Sequence, residues 1–201
     1  ALGKIRTRVA RELREVPPRS GGWAGLREVA AIVGLLDRCR MRAGSRRHMR
    51  RTGARGATTV NETHLRRGGR RLEWPAKSGV RRACDVSDPH LARALPGAVG
   101  RVSAERLNAW LRPYGITAKD VRTWHANALY VGALRRGLKP AACVREAATG
   151  LGHKPGVCRN NYLDPRVLAA KVATDLPAAP ARPAAAHLSV DETVLLLLLR
   201  N

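Results

Sequence analysis

Gly150-Leu151-Gly152-His153-Lys154-Pro155-Gly156-Val157-Cys158-Arg159-Asn160-Asn161-Tyr162 reads as a helix end, a tight connection and a second, short helix. Gly150 predicts the stop of the first helix, because glycine takes the left-handed conformation of a helix C-terminus without steric cost. Pro155 predicts the first turn of the next helix, where its missing N–H costs nothing. His153 then falls in the connection, and Tyr162 falls near the end of the helix that follows. An imidazole and a phenol are thus held about one short helix apart on a rigid frame. Tyrosine can serve as a covalent nucleophile, although a phenol of pKa near ~10 needs its neighbours to make it reactive at neutral pH. Taken alone, the same stretch also reads as a half-buried helix aromatic beside a loop histidine.

The surrounding chain has 201 residues, enough for one domain of ordinary size with a small appendage. Lys and Arg number 38 against 15 Asp and Glu, giving a formal charge of +23. That excess is far beyond what solubility asks for and points to a polyanion as partner. Arginine dominates over lysine, which suits bidentate contacts to phosphate. The run Leu195 to Leu199 is too short to span a bilayer, so no membrane role is expected. The N-terminus begins with a charged amphipathic pattern and shows no signal peptide, so a cytoplasmic location is expected. Cys39, Cys84, Cys143 and Cys158 lack metal-ligand spacing and a paired framework, which predicts reduced thiols and no metal.

Helical periodicity predicts a helix over Leu2 to Val16, with Leu2, Ile5, Val9, Leu13 and Val16 on one apolar face, broken by Pro17 to Gly22. A second helix is expected from about Leu26 to Arg42, with Val29, Ile32, Val33 and Leu36 as its buried stripe and Gly44 at its end. From Gly56 to Val86 the pattern turns to short strands. Thr58-Thr59-Val60 is β-prone. Thr63 to Arg67 and Arg70 to Trp74 read as a hairpin with Gly68-Gly69 as a two-residue turn, and Lys77-Ser78-Gly79 makes a second turn before a strand from Val80 to Val86. Helices resume after Asp88. Ser103 is the expected cap of a helix ending near Pro113. Thr117-Ala118-Lys119-Asp120 fits a capping box for a longer helix to about Leu134. Pro140 opens another, Asp164-Pro165 opens a last core helix through Val172, Pro177 to Pro183 is a Pro/Ala-rich linker, and Ser189-Val190-Asp191-Glu192 caps a terminal Leu-rich helix. The expected fold is mainly α with a small three-stranded antiparallel sheet. A domain over residues 1–176 is followed by the linker and short helix over 177–201.

The most specific string is Lys119-Asp120-Val121-Arg122-Thr123-Trp124-His125-Ala126. With the segment around His153 and with Tyr162, it resembles the type IB DNA topoisomerases in their compact bacterial and viral form. Further pieces match in the family's order. Leu35-Leu36-Asp37-Arg38 and then Arg42-Ala43-Gly44 resemble its helix and the arginine at the helix end. Gly56-Ala57-Thr58-Thr59-Val60 and His64-Leu65 resemble its strand and turn. Lys77-Ser78-Gly79 resembles its lysine-bearing hairpin tip. The resemblance covers nearly the whole chain up to the Pro/Ala-rich tail. It corresponds to the family's catalytic domain, without the amino-terminal domain that clamps over DNA. Ser45 stands where Asn is more usual, and Trp74-Pro75-Ala76 where Phe-x-Gly is more typical; Pro75 is expected to disturb strand pairing there.

The resemblance implies relaxation of supercoiled duplex DNA through a 3′-phosphotyrosyl intermediate on Tyr162. Arg42 and Arg122 would meet the charge on the non-bridging oxygens with permanently charged donors, and His153 would add a hydrogen bond there. Lys77 would protonate the departing 5′-oxygen as general acid. The resemblance implies neither cofactor, metal nor ATP, and a monomer associated with the nucleoid. Taken singly, Arg42 and Arg122 read as solvated or phosphate-contacting arginines, and Lys77 as a turn lysine. His64 and His125 read as structural, Trp74, Trp110 and Trp124 as core, and the run from Arg46 to Arg55 as a solvated face that, next to Arg42, also reads as a track for the DNA backbone. Two alternatives compete. A tyrosine recombinase shares the nucleophile and arginines but usually has a His where Lys119 stands, and a non-catalytic DNA-binding remnant would need none of the chemistry.

Overall fold

The amphipathic helices bury their apolar stripes, and the sheet is confined to one part of the chain. The computed structural model describes residues 1–15, 23–182 and 187–200. Val16, the break over 17–22, and Pro183 lie outside them. The fold is mainly helical with a small three-stranded antiparallel sheet. It divides into two compact units, Gly3–Lys119 and Asp120–Asn201.

In the first unit, α1 (Leu2–Arg14) turns Ile5, Val9 and Leu13 inward. α2 (Trp23–Arg38) buries Val29, Ile32, Val33 and Leu36. The two are joined by a bidentate ion pair, Arg6 Nε and Nη2 donating to Asp37 at 2.7 and 3.0 Å. α2 stops four residues earlier than expected. Arg40 takes a left-handed conformation (φ 52°) and Met41 N–H returns to Leu36 O, closing the helix before Arg42. The Arg-rich run forms α3 (Arg46–Thr52), capped by Ser45 and exposing Arg46, Arg47, Arg50 and Arg51.

The sheet runs in the order β1 (Leu65–Arg66), β2 (Arg71–Pro75), β3 (Arg81–Asp85). Leu72 and Trp74 are buried, while Arg71 on the other face pairs with Glu73 and Asp85. Leu65 pairs with Leu72 and Arg66 with Arg71, so the first connection has four residues rather than two. Arg67 itself takes positive φ beside Gly68 and Gly69. Gly69 is required there, since a Cβ would lie 2.2 Å from Ala92 O. Pro75 does not disturb pairing. It is the last residue of β2, opposite Arg81, where a missing N–H has no ladder partner to deprive. α4 (Pro89–Ala98) and α5 (Ala104–Leu111), capped by Asp88 and Ser103, pack on α2.

The second unit contains α6 (Ala118–Arg135), whose first turn meets the division, followed by α7 (Pro140–Leu151), α8 (Pro155–Tyr162), α9 (Pro165–Ala169) and α10 (Val190–Leu198). Their shared core includes Val131, Leu134, Val144, Ala147, Cys158, Val167 and Val194. Burying each large aliphatic side chain of that kind contributes roughly 1.5–3 kcal/mol. α7 runs past Gly150. Leu151 is buried as its last residue, and Gly152 (φ 69°) supplies the left-handed cap instead. α9 ends at Ala169, three residues short of the expected Val172, because Asp175 accepts hydrogen bonds from the Lys171 and Val172 N–H groups and draws the chain into a new turn. The predicted capping box at Ser189 and Glu192 is present, and Glu192 also accepts from Trp124 Nε1 at 2.9 Å, tying α10 to α6.

The expectation of reduced thiols holds for Cys143 and Cys158, which are buried and free. It fails for Cys39 and Cys84, which form a disulfide across 45 residues of sequence. Folding brings the end of α2 against β3, a tertiary juxtaposition that cysteine spacing does not encode. Among the described residues no helix is long and apolar enough to cross a membrane.

Candidate active site

Arg42 sits in the loop after α2, and that loop is gripped by the segment 56–60. Ala57 N–H donates to Arg42 O at 2.8 Å. Thr58 donates to Ala43 O from both its N–H (2.7 Å) and its hydroxyl (3.0 Å). Gly56 N–H donates to the Thr59 hydroxyl at 2.8 Å. With these donors committed to the loop and to Gly56 O, the Thr58-Thr59-Val60 segment forms a buried turn and not the strand its β-propensity predicts. Gly56 is obligatory, since a Cβ would meet Arg42 O and the Gly44 backbone at 2.6 Å. Arg55 N–H reaches Pro75 O at 2.7 Å, which fastens this frame to the end of β2. Lys77 follows two residues later, exposed at the tip of the β2–β3 hairpin, which Ala76 N–H closes on Val80 O at 2.7 Å.

Trp74 in this unit is buried, as expected of a core residue, and His64 is held by its own turn. His64 Nδ1 accepts from the Asn61 N–H at 3.3 Å. Burial, and then the nearby charge of Arg55, hold its pKa below the ordinary histidine value.

In the second unit the structure brings Arg122, His153 and Tyr162 together. Arg122 lies in the second turn of α6, nearly buried, with Nη2 donating to Leu151 O at 3.0 Å and to His153 Nε2 at 2.8 Å. A guanidinium has no acceptor, so Nε2 is the accepting partner in this contact. The His153 ring centroid lies 4.5 Å from that of Tyr162, and the Arg122 guanidinium carbon lies 5.8 Å from the Tyr162 ring. α8 carries Tyr162 and buries only Cys158. That thiol is held neutral, its pKa pushed up by burial against the opposing charge of Arg122.

Asn127, one turn beyond Arg122, was not singled out by sequence. It is 3 % exposed. Its Nδ2 donates to Thr123 O at 2.7 Å and to Tyr162 O at 2.8 Å, and its Oδ1 accepts from Asp164 N–H at 2.8 Å. One amide therefore satisfies both the end of α8 and the entry to α9, fixing the backbone on which Tyr162 stands. The available signal was a weak helix former in the middle of a long helix.

The chain has three tyrosines. Tyr130 is fully buried with its hydroxyl donating to Ala170 O at 3.2 Å. Tyr114 lies in the first unit, its ring 5.7 Å from Trp110. Tyr162 is half-buried like Tyr114, and stands next to both a histidine and an arginine. His125 and Trp110 are buried, and Trp124 packs against the core. Among the described residues no group of His, Cys, Asp or Glu is arranged to hold a metal ion. No protein-family model matches the chain, and no curated protein matches it.

Proposed function

We propose that this protein cleaves and rejoins one strand of duplex DNA in the manner of a type IB topoisomerase, relaxing supercoils through a covalent phosphotyrosine. The observation that carries the reading is the Arg122–His153–Tyr162 group, in which a phenol, an imidazole and a buried guanidinium stand in mutual contact. The Tyr162 hydroxyl oxygen attacks phosphorus and loses its proton to water, a P–O bond forms to that phenolic oxygen, and the bond to the 5′-oxygen breaks; water returns the proton to the phenolate on resealing. Arg122 and Arg42 bind the non-bridging oxygens as charge builds on them, with His153 as a further donor. Lys77 gives its proton to the 5′-oxygen, and takes it back when that oxygen attacks the phosphotyrosine and reseals the strand. The +23 charge of the chain supplies affinity for the phosphate backbone without reading base sequence.

The test is relaxation of supercoiled plasmid with EDTA and without ATP, together with denaturant trapping and peptide mapping of the covalent adduct. Relaxation with DNA attached at Tyr162 is expected. Tyr162→Phe keeps the ring and loses the attacking oxygen, so it should bind DNA and capture none. Attachment elsewhere, or undiminished capture by the Phe variant, overturns the assignment. Binding without any relaxation or capture would leave a DNA-binding remnant.

A further inference from the structure

Where α2 ends against β3, two covalent and polar ties hold the chain. Cys39 is bonded to Cys84, with Cα atoms 5.6 Å apart, and Arg38 Nε donates to Asp85 O at 3.1 Å. Residues two apart on a strand share a face, so Arg82 projects on the same side as Cys84. It stands opposite Trp74 in the register, its guanidinium carbon 5.9 Å from the indole. Arg40 follows Cys39 in the left-handed turn, and Arg42 follows in the loop gripped by Ala57 and Thr58. All three arginines are partly exposed. Half-burial, and then the charges of Arg40 and Arg42, push the Arg82 pKa below its ordinary value. Like charges gathered in a partly dehydrated place lower the cost of receiving an anion there. Guanidinium forks match the oxygens of a phosphodiester.

We infer that Arg40 and Arg82 form one binding site for a backbone phosphate of duplex DNA, beside the phosphate that Arg42 holds, assembled by the Cys39–Cys84 bridge. This rests on the reading of the protein as one that grips DNA, and not on strand cleavage. The bridge is the positioning element. Two equivalents of a thiol reductant open it, each cysteine sulfur gaining one electron and one proton while the reductant leaves as its own disulfide. The turn bearing Arg40 is then released from the face bearing Arg82.

The experiment is fluorescence anisotropy of a labelled duplex over a salt series, with circular dichroism to confirm folding. Arg82→Ala and, independently, Arg40→Ala should each lower the slope of log affinity against log salt by about 1, the loss of one phosphate contact. The exposed Arg101→Ala, an equal change in net charge in the same unit, should leave the slope unchanged. Treating the native protein with thiol reductant should reproduce the Arg82→Ala slope, as should Cys39→Ser with Cys84→Ser. An unchanged slope in both folded arginine variants, an equal loss in Arg101→Ala, or a native slope after the bridge is opened would each overturn the inference. A protein that shows this pattern yet never captures DNA covalently would sink strand cleavage alone. One that captures DNA with an unchanged Arg82→Ala slope would sink this site alone.

Discussion

Arg122 donates to His153 through Nη2 at 2.8 Å while the same nitrogen holds Leu151 O at 3.0 Å. The end of α7 and the connection after it are thereby registered against α6. His153→Leu removes the acceptor and any donor His153 offers to a phosphate. Single-turnover cleavage should fall by about 10²–10³, the usual effect of one lost oxyanion donor. His153→Gln keeps an amide acceptor and donor and should recover part of that loss. Equal rates for the Leu variant and wild type would remove His153 from the site.

Asn127→Ala should destabilise the fold by about 1–3 kcal/mol, because it leaves the part-buried Tyr162 O and Asp164 N–H without their amide. Denaturant unfolding measures this. At temperatures where the variant stays folded, covalent capture should still slow, since the backbone bearing Tyr162 has lost its clamp. A variant with wild-type stability would contradict the role given to the amide.

Lys77→Ala should slow cleavage of an ordinary phosphodiester by the order of 10²–10⁴, the range for a lost general acid. A substrate with a 5′-thiolate leaving group needs no proton and should largely rescue the variant. Equal slowing on both substrates would make Lys77 a binding residue and not an acid.

His64 gives a pH signature. Its folded-state pKa lies below the unfolded value of about 6.5, so between the two the unfolded chain binds more protons. Stability from this group is therefore complete above pH ~6.5 and is lost as pH falls from there towards the folded-state value. His64→Gln should flatten that part of a stability–pH curve. An identical acid slope in the variant would assign the loss to other groups.

Helix starts were legible wherever a side chain announces them. Ser103, Asp164 and Ser189 each accept the N–H groups expected of caps. Failures lie where tertiary contacts outweigh local preference. Thr58 and Thr59 have strand propensity, yet their donors and hydroxyls are spent on the Arg42 loop and on Gly56. Gly150 and Gly152 are equal as local signals, and burial of Leu151 decides for the second. At the candidate site, His153 and Tyr162 stood out by residue type and Arg122 by the resemblance, and the structure brings the three together. Asn127 did not stand out, because its importance comes from two backbone groups 35 and 37 residues away.

The cystine between residues 39 and 84 also makes a closed circle of chain, and both Arg42 and Lys77 lie on its circumference. A circle cut once becomes a line, not two fragments. Proteolysis at the exposed tip around Lys77 would leave the nicked molecule running as one band on a non-reducing gel and as two after reduction. The β3 arm beyond the cut would remain tied to α2 by that one covalent closure.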